Sequence, residues 1–300
     1  MASFALKVIR LGLTAAGRAV PKATGRLAFE LFCRTPSRRP KGEKARLAVE
    51  AGQKRLSRAK ELPFDMAHGQ VMAYRFPGAE PRAKRFLVVH GWGAGALYVS
   101  ELAENLASTG AEVVVLDLPG HGKSAGRRLN MRMAVDAVIE AQARFGPFDG
   151  AVGHSFGGAS LLIAHGGVMR GAGQLNVQKL AVIGSPSEMH WLFRDFSNAL
   201  RLLPAVRREL VQHAETVAGC SLDAFDTVAI SQRLRAPLLV VHAEDDKEVA
   251  VDHARRYASA GPHVRFHWAN GYGHRRIVSA PEVMDGIVAF LKDDAGSAAA

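Results

Sequence analysis

From residue 70 onward, short apolar runs rich in β-branched residues alternate with longer segments of helical periodicity, and few folds accommodate that rhythm. Strands separated by helices lie parallel, because each helix carries the chain back along the sheet, and both faces of the sheet are then covered. Strands are expected at 71–76, 86–90, 113–116, 150–153, 180–183, 238–242 and 264–268, and helices at 97–108, 131–145, 156–165, 249–260 and 281–291. The expected class is therefore α/β, with one mostly parallel central sheet and helices on both faces. A helical lid insertion and a basic N-terminal helical arm are added to it.

The insertion is marked by the loss of strand patterns between 185 and 231. Phe193, Phe196, Leu200, Leu203, Val206 and Leu210 recur there at helical spacing, with a bend expected at Pro204. A segment leaving the C-terminal end of a strand in an open α/β sheet lies over the crevice where ligands bind. The expected organisation is an arm at 1–60, a core at 61–184 and 232–294, a lid at 185–231, and a small polar tail at 295–300 expected to be disordered.

Charge is confined to one end. The formal net charge is +11, yet residues 1–60 hold 15 Lys and Arg against 3 Asp and Glu, a balance of +12, so the remainder carries 24 basic and 25 acidic residues, or −1. A basic arm on a nearly neutral body is no guide to what the body does. In the arm, Phe4, Val8, Leu11 and Ala15 follow helical spacing, as do Leu27, Leu31 and the neighbouring Phe32, until Pro36 and Pro40 end any helix. One reading is peripheral contact with an anionic membrane. The plainer one is a helical pair docked on the body with its cations in water. Nucleic acid is not expected as a partner, since no DNA-binding motif or interleaved aromatic residue accompanies the charge. No run reaches the 18 or so apolar residues that a membrane span needs, and Lys7, Arg10 and Arg18 break up any export signal. Two cysteines, Cys33 and Cys220, make no disulfide framework. The expected location is the cytoplasm, peripheral at the inner membrane surface if the arm binds lipid.

The chemistry gathers at strand ends. Gly153-His154-Ser155-Phe156-Gly157 joins an apolar strand to a helix, and so sharp a turn strains the central residue and leaves no room for side chains at the two flanking positions that the glycines occupy. A serine hydroxyl needs a base and a group that orients the base. The strand at 238–242 runs into Ala243-Glu244-Asp245-Asp246, and the strand at 264–268 into Asn270-Gly271-Tyr272-Gly273-His274. Asp246 follows Ser155 by 91 residues and His274 follows Asp246 by 28, one of the known chain orders for a serine, acid and histidine triad. The loop Gly91-Trp92-Gly93-Ala94-Gly95 can aim backbone N–H groups inward, and the expected oxyanion donors are those of Trp92 and Phe156.

On the residues His90-Gly91-Trp92-Gly93, Asp117 to Ser124, Gly153 to Gly157, His242 to Asp246 and Gly273-His274, the chain resembles the α/β-hydrolase fold superfamily, in its form with a small helical lid, over about residues 70–292. The resemblance implies a serine hydrolase: Ser155 attacks a carbonyl, His274 moves the proton and Asp246 orients the imidazole. The superfamily commonly has glycine after the histidine where this chain has Ala243; counting from His242 selects Asp246, with Asp245 the alternative. The expected function is hydrolysis of a carboxylic ester through an acyl-enzyme, without metal or cofactor. A thioesterase, an acyltransferase or a carbon–carbon bond hydrolase would use the same three residues, and a non-catalytic binding protein of this fold is the competing class. His154, Trp191, Phe193, Phe196 and Leu200 are the expected pocket residues and favour an apolar acyl or alkyl group. Gly120-His121-Gly122-Lys123-Ser124 lacks the leading glycine of a phosphate-binding loop, because Asp117 stands in its place. His90, His121, His154 and His242 are expected to satisfy local hydrogen bonds rather than titrate in a reaction.

Overall fold

The computed structural model describes residues 4–293, so the expected tail at 295–300 lies outside the described residues. Eight strands, β1 (Lys60–Met66), β2 (Gly69–Phe76), β3 (Arg85–Val89), β4 (Glu112–Asp117), β5 (Gly150–His154), β6 (Lys179–Ile183), β7 (Leu238–His242) and β8 (Val264–Trp268), form one sheet in the order β1-β2-β4-β3-β5-β6-β7-β8. Strands β1 and β2 pair antiparallel, as do β2 and β4; all other pairs are parallel. From β3 the chain steps outward to β4 and then returns to β5 on the other side. The strand order therefore reverses between β3 and β5, where the connecting loops diverge and open a crevice.

Among the described residues, twelve α-helices accompany the sheet. They are α1 (Phe4–Ala19), α2 (Pro21–Phe32), α3 (Glu43–Leu56), α4 (Ser100–Ser108), α5 (Met131–Phe145), α6 (Phe156–Gly166), α7 (His190–Leu200), α8 (Pro204–Ala218), α9 (Thr227–Leu234), α10 (Asp252–Arg255), α11 (Gly273–Arg276) and α12 (Pro281–Lys292). Alternate residues of one strand feed two cores, as the pleat requires. Val114 and Leu116 of β4 join a core with Ala134 of α5 and Leu161 of α6, whereas Val113 and Val115 join one with Leu102 of α4 and Ile287 of α12. Every residue of β5 and β7 is buried, which is why those strands read as unbroken apolar runs.

Strand β1 was not anticipated by the sequence reading. It is an edge strand in which Phe64 is buried while Glu61, Pro63 and Asp65 face solvent, and proline is tolerated only at such an edge. In the insertion, α7 ends at Arg201, which adopts a left-handed conformation (φ 54°), and α8 begins afresh at Pro204. The expected change of direction at Pro204 is therefore a break between two separate helices. Residues 227–231, expected in the insertion, open α9. This helix belongs to the layer on the sheet: a Cβ on Gly166 of α6 would meet Ile230 at 3.0 Å.

The N-terminal segment is packed. Leu13, Ala28, Phe29 and Cys33 are buried. Helix α2 lies so close to α8 that a Cβ on Gly25 would stand 2.5 Å from Cβ of Glu209, and one on Gly17 of α1 would stand 2.6 Å from Cγ2 of Val206. Glycine at these crossings lets the helix backbones approach. No helix among the described residues is long and apolar enough to cross a membrane.

Candidate active site

Ser155 sits at the end of β5 with φ 52° and ψ −121°, a conformation that L-residues rarely adopt and that costs roughly 1–3 kcal/mol. Its neighbours explain the glycines. A Cβ on Gly157 would come within 2.5 Å of the carbonyl oxygens of both Val89 and His90, and one on Gly153 within 2.5 Å of Gly158 Cα. The Ser155 N–H donates to the Ile183 carbonyl at 2.8 Å, so the turn is fastened to β6 while its hydroxyl stays free to project.

Three side chains far apart in sequence converge there. His274 Nε2 lies 3.0 Å from Ser155 Oγ, and His274 Nδ1 lies 2.7 Å from Asp246 Oδ2. Asp246 Oδ1 accepts from the backbone N–H groups of Glu248 and Val249 at 2.8 and 2.9 Å. Burial raises the Asp246 pKa, but the His274 hydrogen bond and those amide donors outweigh it and hold the carboxyl below its ordinary value. Asp245, the alternative acid, points elsewhere and accepts from Gly271 N–H at 2.9 Å. In that role it braces the loop that carries His274. Gly184, just beyond β6, has φ 54°, and a Cβ there would stand 3.2 Å from His274 Nδ1 and 3.4 Å from Asp246 Oδ2. Its missing side chain leaves room for the pair.

Trp92 and Phe156, the expected oxyanion donors, both line the cavity that holds Ser155. Gly91 runs against the serine turn closely enough that a Cβ on it would lie 2.9 Å from Ser155 Cβ, and Trp92 is the next residue along the chain. Neither the Trp92 nor the Phe156 backbone N–H has an acceptor among the described residues, and the two aromatic rings meet edge to face at 5.8 Å. Asp117 holds this loop from behind. Its carboxylate accepts from Ala96 N–H at 2.6 Å, Lys123 N–H at 2.8 Å and the Tyr74 hydroxyl at 3.1 Å. The glycine-rich stretch at 120–124 is thus tied into one wall, with Ser124 Oγ bonded to the Asp117 carbonyl.

The neighbouring histidines are framework. His90 donates from Nδ1 to Gly91 O at 2.7 Å and accepts Leu118 N–H on Nε2 at 3.0 Å; His121 accepts Gly93 N–H at 2.9 Å. His154 donates from Nε2 to the His274 carbonyl at 2.9 Å, and its buried Nδ1 has no partner among the described residues. Burial pushes His90 and His121 down to about 4 and His154 down to about 3, so all three stay neutral near pH 7. His242 bonds to the Val249 carbonyl at 3.1 Å. Among the described residues no group of three or more His, Cys, Asp or Glu side chains converges as a metal site.

Above Ser155 opens a cavity of about 830 Å³. Of the expected pocket residues, His154, Trp191, Phe193 and Phe196 line it, and Leu200 does not. Leu200 is buried among the helices of the insertion, because the apolar face of α7 is wide enough to serve both the cavity and the packing behind it. The sequence reading missed the contribution of α2. Phe29 and Phe32 line the cavity, with the Phe32 ring stacked on Phe193 at 4.7 Å and edge-on to Phe196 at 5.1 Å. The signal available was the Leu27, Leu31, Phe32 periodicity, which announced a buried face without saying what it covered.

A sequence profile of the alpha/beta hydrolase fold matches residues 84–236, just over half of the chain. No match was found among curated proteins. Similar solved structures include an esterase of Pyrococcus furiosus, at 16% identity and a TM-score of 0.59 over 86% of this chain and 98% of that one. A membrane phospholipase A described as a bacterial virulence factor shows 19% identity and a TM-score of 0.59 over 85% and 93%. A serine hydrolase of Cycloclasticus zankles shows 15% identity and 0.57 over 79% and 100%. With the sheet order, the serine turn at the switch point and the profile match in agreement, the chain belongs to the alpha/beta hydrolase fold family.

Proposed function

We propose that this protein is a serine hydrolase that cleaves a carboxylic ester through an acyl-enzyme, with an apolar acyl or alkyl group held in the cavity above Ser155. The observation that carries this reading is the continuous relay from Asp246 through His274 to Ser155, at 2.7 and 3.0 Å, on the floor of that cavity. A binding protein has no use for a base aligned on a strained serine.

With Nδ1–H donated to Asp246, His274 presents the Nε2 lone pair to the Ser155 hydroxyl. Ser155 Oγ attacks the ester carbonyl carbon as its proton passes to Nε2, and the carbonyl π electrons move onto oxygen. That oxyanion is received by the Trp92 and Phe156 N–H groups, where one donor is worth about 100- to 1,000-fold in rate. The tetrahedral species collapses, the carbon–oxygen bond to the leaving group breaks, and the departing alkoxide takes the proton from His274. Water then repeats the sequence on the acyl-enzyme, with His274 again as base, and frees the carboxylic acid and Ser155. Phe32, Phe193 and Phe196 form the wall that would hold the apolar chain, and helices α7 and α8 act as its lid.

The test is a series of p-nitrophenyl esters from acetate to decanoate. The expected result is turnover whose kcat/KM rises with acyl length, abolished in Ser155→Ala and His274→Ala. Failure of the folded protein to hydrolyse any of these esters, or retained turnover in Ser155→Ala, overturns the reading.

A further inference from the structure

The outer face of α1 is apolar and uncovered. Leu13 and Gly17 face inward, buried against the insertion, and Arg10 ties α1 to α7 by donating to the Ala199 carbonyl at 2.6 and 2.9 Å. At about 100° per residue, Val8, Leu11 and Ala15 fall on the opposite side of the helix. Leu11 is 72% exposed and Val8 52%. Leu27 of α2 is likewise exposed, at 52%. Exposed leucines and valines aligned in a row are uncommon on a surface that meets only water.

Around this row the charge has one sign. Lys7, Arg18, Lys22 and Arg26 have no acidic partner among the described residues. The only acid on α1 and α2 is Glu30, which is engaged with Arg128. Some cations elsewhere on the surface are paired, as in Arg132 with Asp136, Arg144 with Glu140 and Arg275 with Glu248, but none of Lys7, Arg18, Lys22 and Arg26 is. An apolar stripe flanked by uncompensated cations matches an interface that is negative at its surface and apolar beneath. A protein partner would have to supply both features, whereas a bilayer with anionic headgroups supplies them everywhere.

We infer that α1 and the outer side of α2 dock on the surface of an anionic lipid bilayer. The inward side of the same α2 places Phe29 and Phe32 in the wall of the cavity over Ser155, so one helix faces the lipid on one side and the site on the other. This deepens the hydrolase reading, on which its substrate class rests: the substrate is a water-insoluble ester carried in or on that bilayer. The docking itself does not depend on catalysis.

The experiment uses the full chain as Ser155→Ala, sedimented with vesicles of phosphatidylcholine alone or of phosphatidylcholine with one third phosphatidylglycerol. Partition into the anionic vesicles is expected to be at least about tenfold stronger than into neutral ones, since each cation near the headgroups contributes, and it should weaken as salt rises. The double variant Val8→Glu, Leu11→Glu, at exposed positions, should lose at least about tenfold of that partition while its Ser155 counterpart turns over p-nitrophenyl acetate as the unaltered protein does. Equal binding to neutral and anionic vesicles, no binding to either, or undiminished binding by the double variant overturns the docking. So does a vesicle-free dimer, seen by analytical ultracentrifugation, that the double variant disrupts, because a second copy then covers the face. Vesicle binding without ester turnover leaves the docking standing and removes the hydrolase reading; turnover without vesicle binding does the reverse.

Discussion

His274 and Ser155 are 119 residues apart in sequence, yet Nε2 of one stands 3.0 Å from Oγ of the other. Neither residue sets that distance. The serine is fixed by its bond to β6, and the histidine by a chain of contacts behind it. Asp246 holds the ring, His154 holds the His274 carbonyl, and Asp245 holds the loop at Gly271. The Tyr98 hydroxyl donates to the carbonyl of the next residue, Arg275.

The acid is tested by Asp246→Asn. The asparagine oxygen can still accept from Glu248 and Val249, but its NH2 then faces His274 Nδ1 and turns the imidazole to the tautomer whose Nε2 carries the proton. Activity on p-nitrophenyl acetate should fall by about three to four orders of magnitude, with little change in melting temperature. Asp245→Asn should fall by less than about tenfold, because it touches only the supporting loop. Equal losses in the two variants contradict this division of roles.

Strain at Ser155 makes a prediction about stability. Ser155→Gly removes the Cβ that the left-handed backbone disfavours, whereas Ser155→Ala keeps it. Both should be inactive, and the glycine variant should be the more stable by about 1 kcal/mol, measured by chemical denaturation. An alanine variant at least as stable as the glycine one shows that the turn is not strained.

Phe32→Ala probes the wall built by α2. Removing a ring that stacks on Phe193 and meets Phe196 should lower kcat/KM for long-chain esters by about tenfold or more and leave acetate turnover nearly unchanged. A uniform loss across chain lengths argues for general disruption instead.

Stability should fall in mild acid. His90, His121 and His154 have folded-state pKa values of about 4, 4 and 3, below the ordinary 6.5, because burial disfavours the cation. Between those values and 6.5 the unfolded chain binds protons that the folded chain refuses, so the contribution is complete above 6.5 and is lost as pH drops toward 4. Each histidine should cost about 1–2 kcal/mol by pH 5, read as a falling denaturation midpoint. A midpoint that is flat from pH 7.5 to 5 contradicts the neutral, buried assignment.

What the sequence revealed depended on whether a residue's role was local. Ser155, Asp246 and His274 each follow a strand, in turns whose glycines and acids are local signals. The Trp92 loop was visible for the same reason. Strand β1 was hidden because Pro63 and alternating charges suit an edge and imitate a loop. Phe29 and Phe32 reach the cavity only because α2 packs on α8, a contact between segments about 180 residues apart that no spacing rule encodes. Leu200 shows the opposite limit: helical periodicity identifies the buried face of α7 and does not say whether core or cavity lies against it.

The most direct measurement is the intact mass of the protein after exposure to a fluorophosphonate. One adduct per chain is expected, mapped to Ser155, absent in Ser155→Ala and formed far more slowly in His274→Ala. Labelling at another residue, or labelling of Ser155 at the same rate without His274, would contradict it.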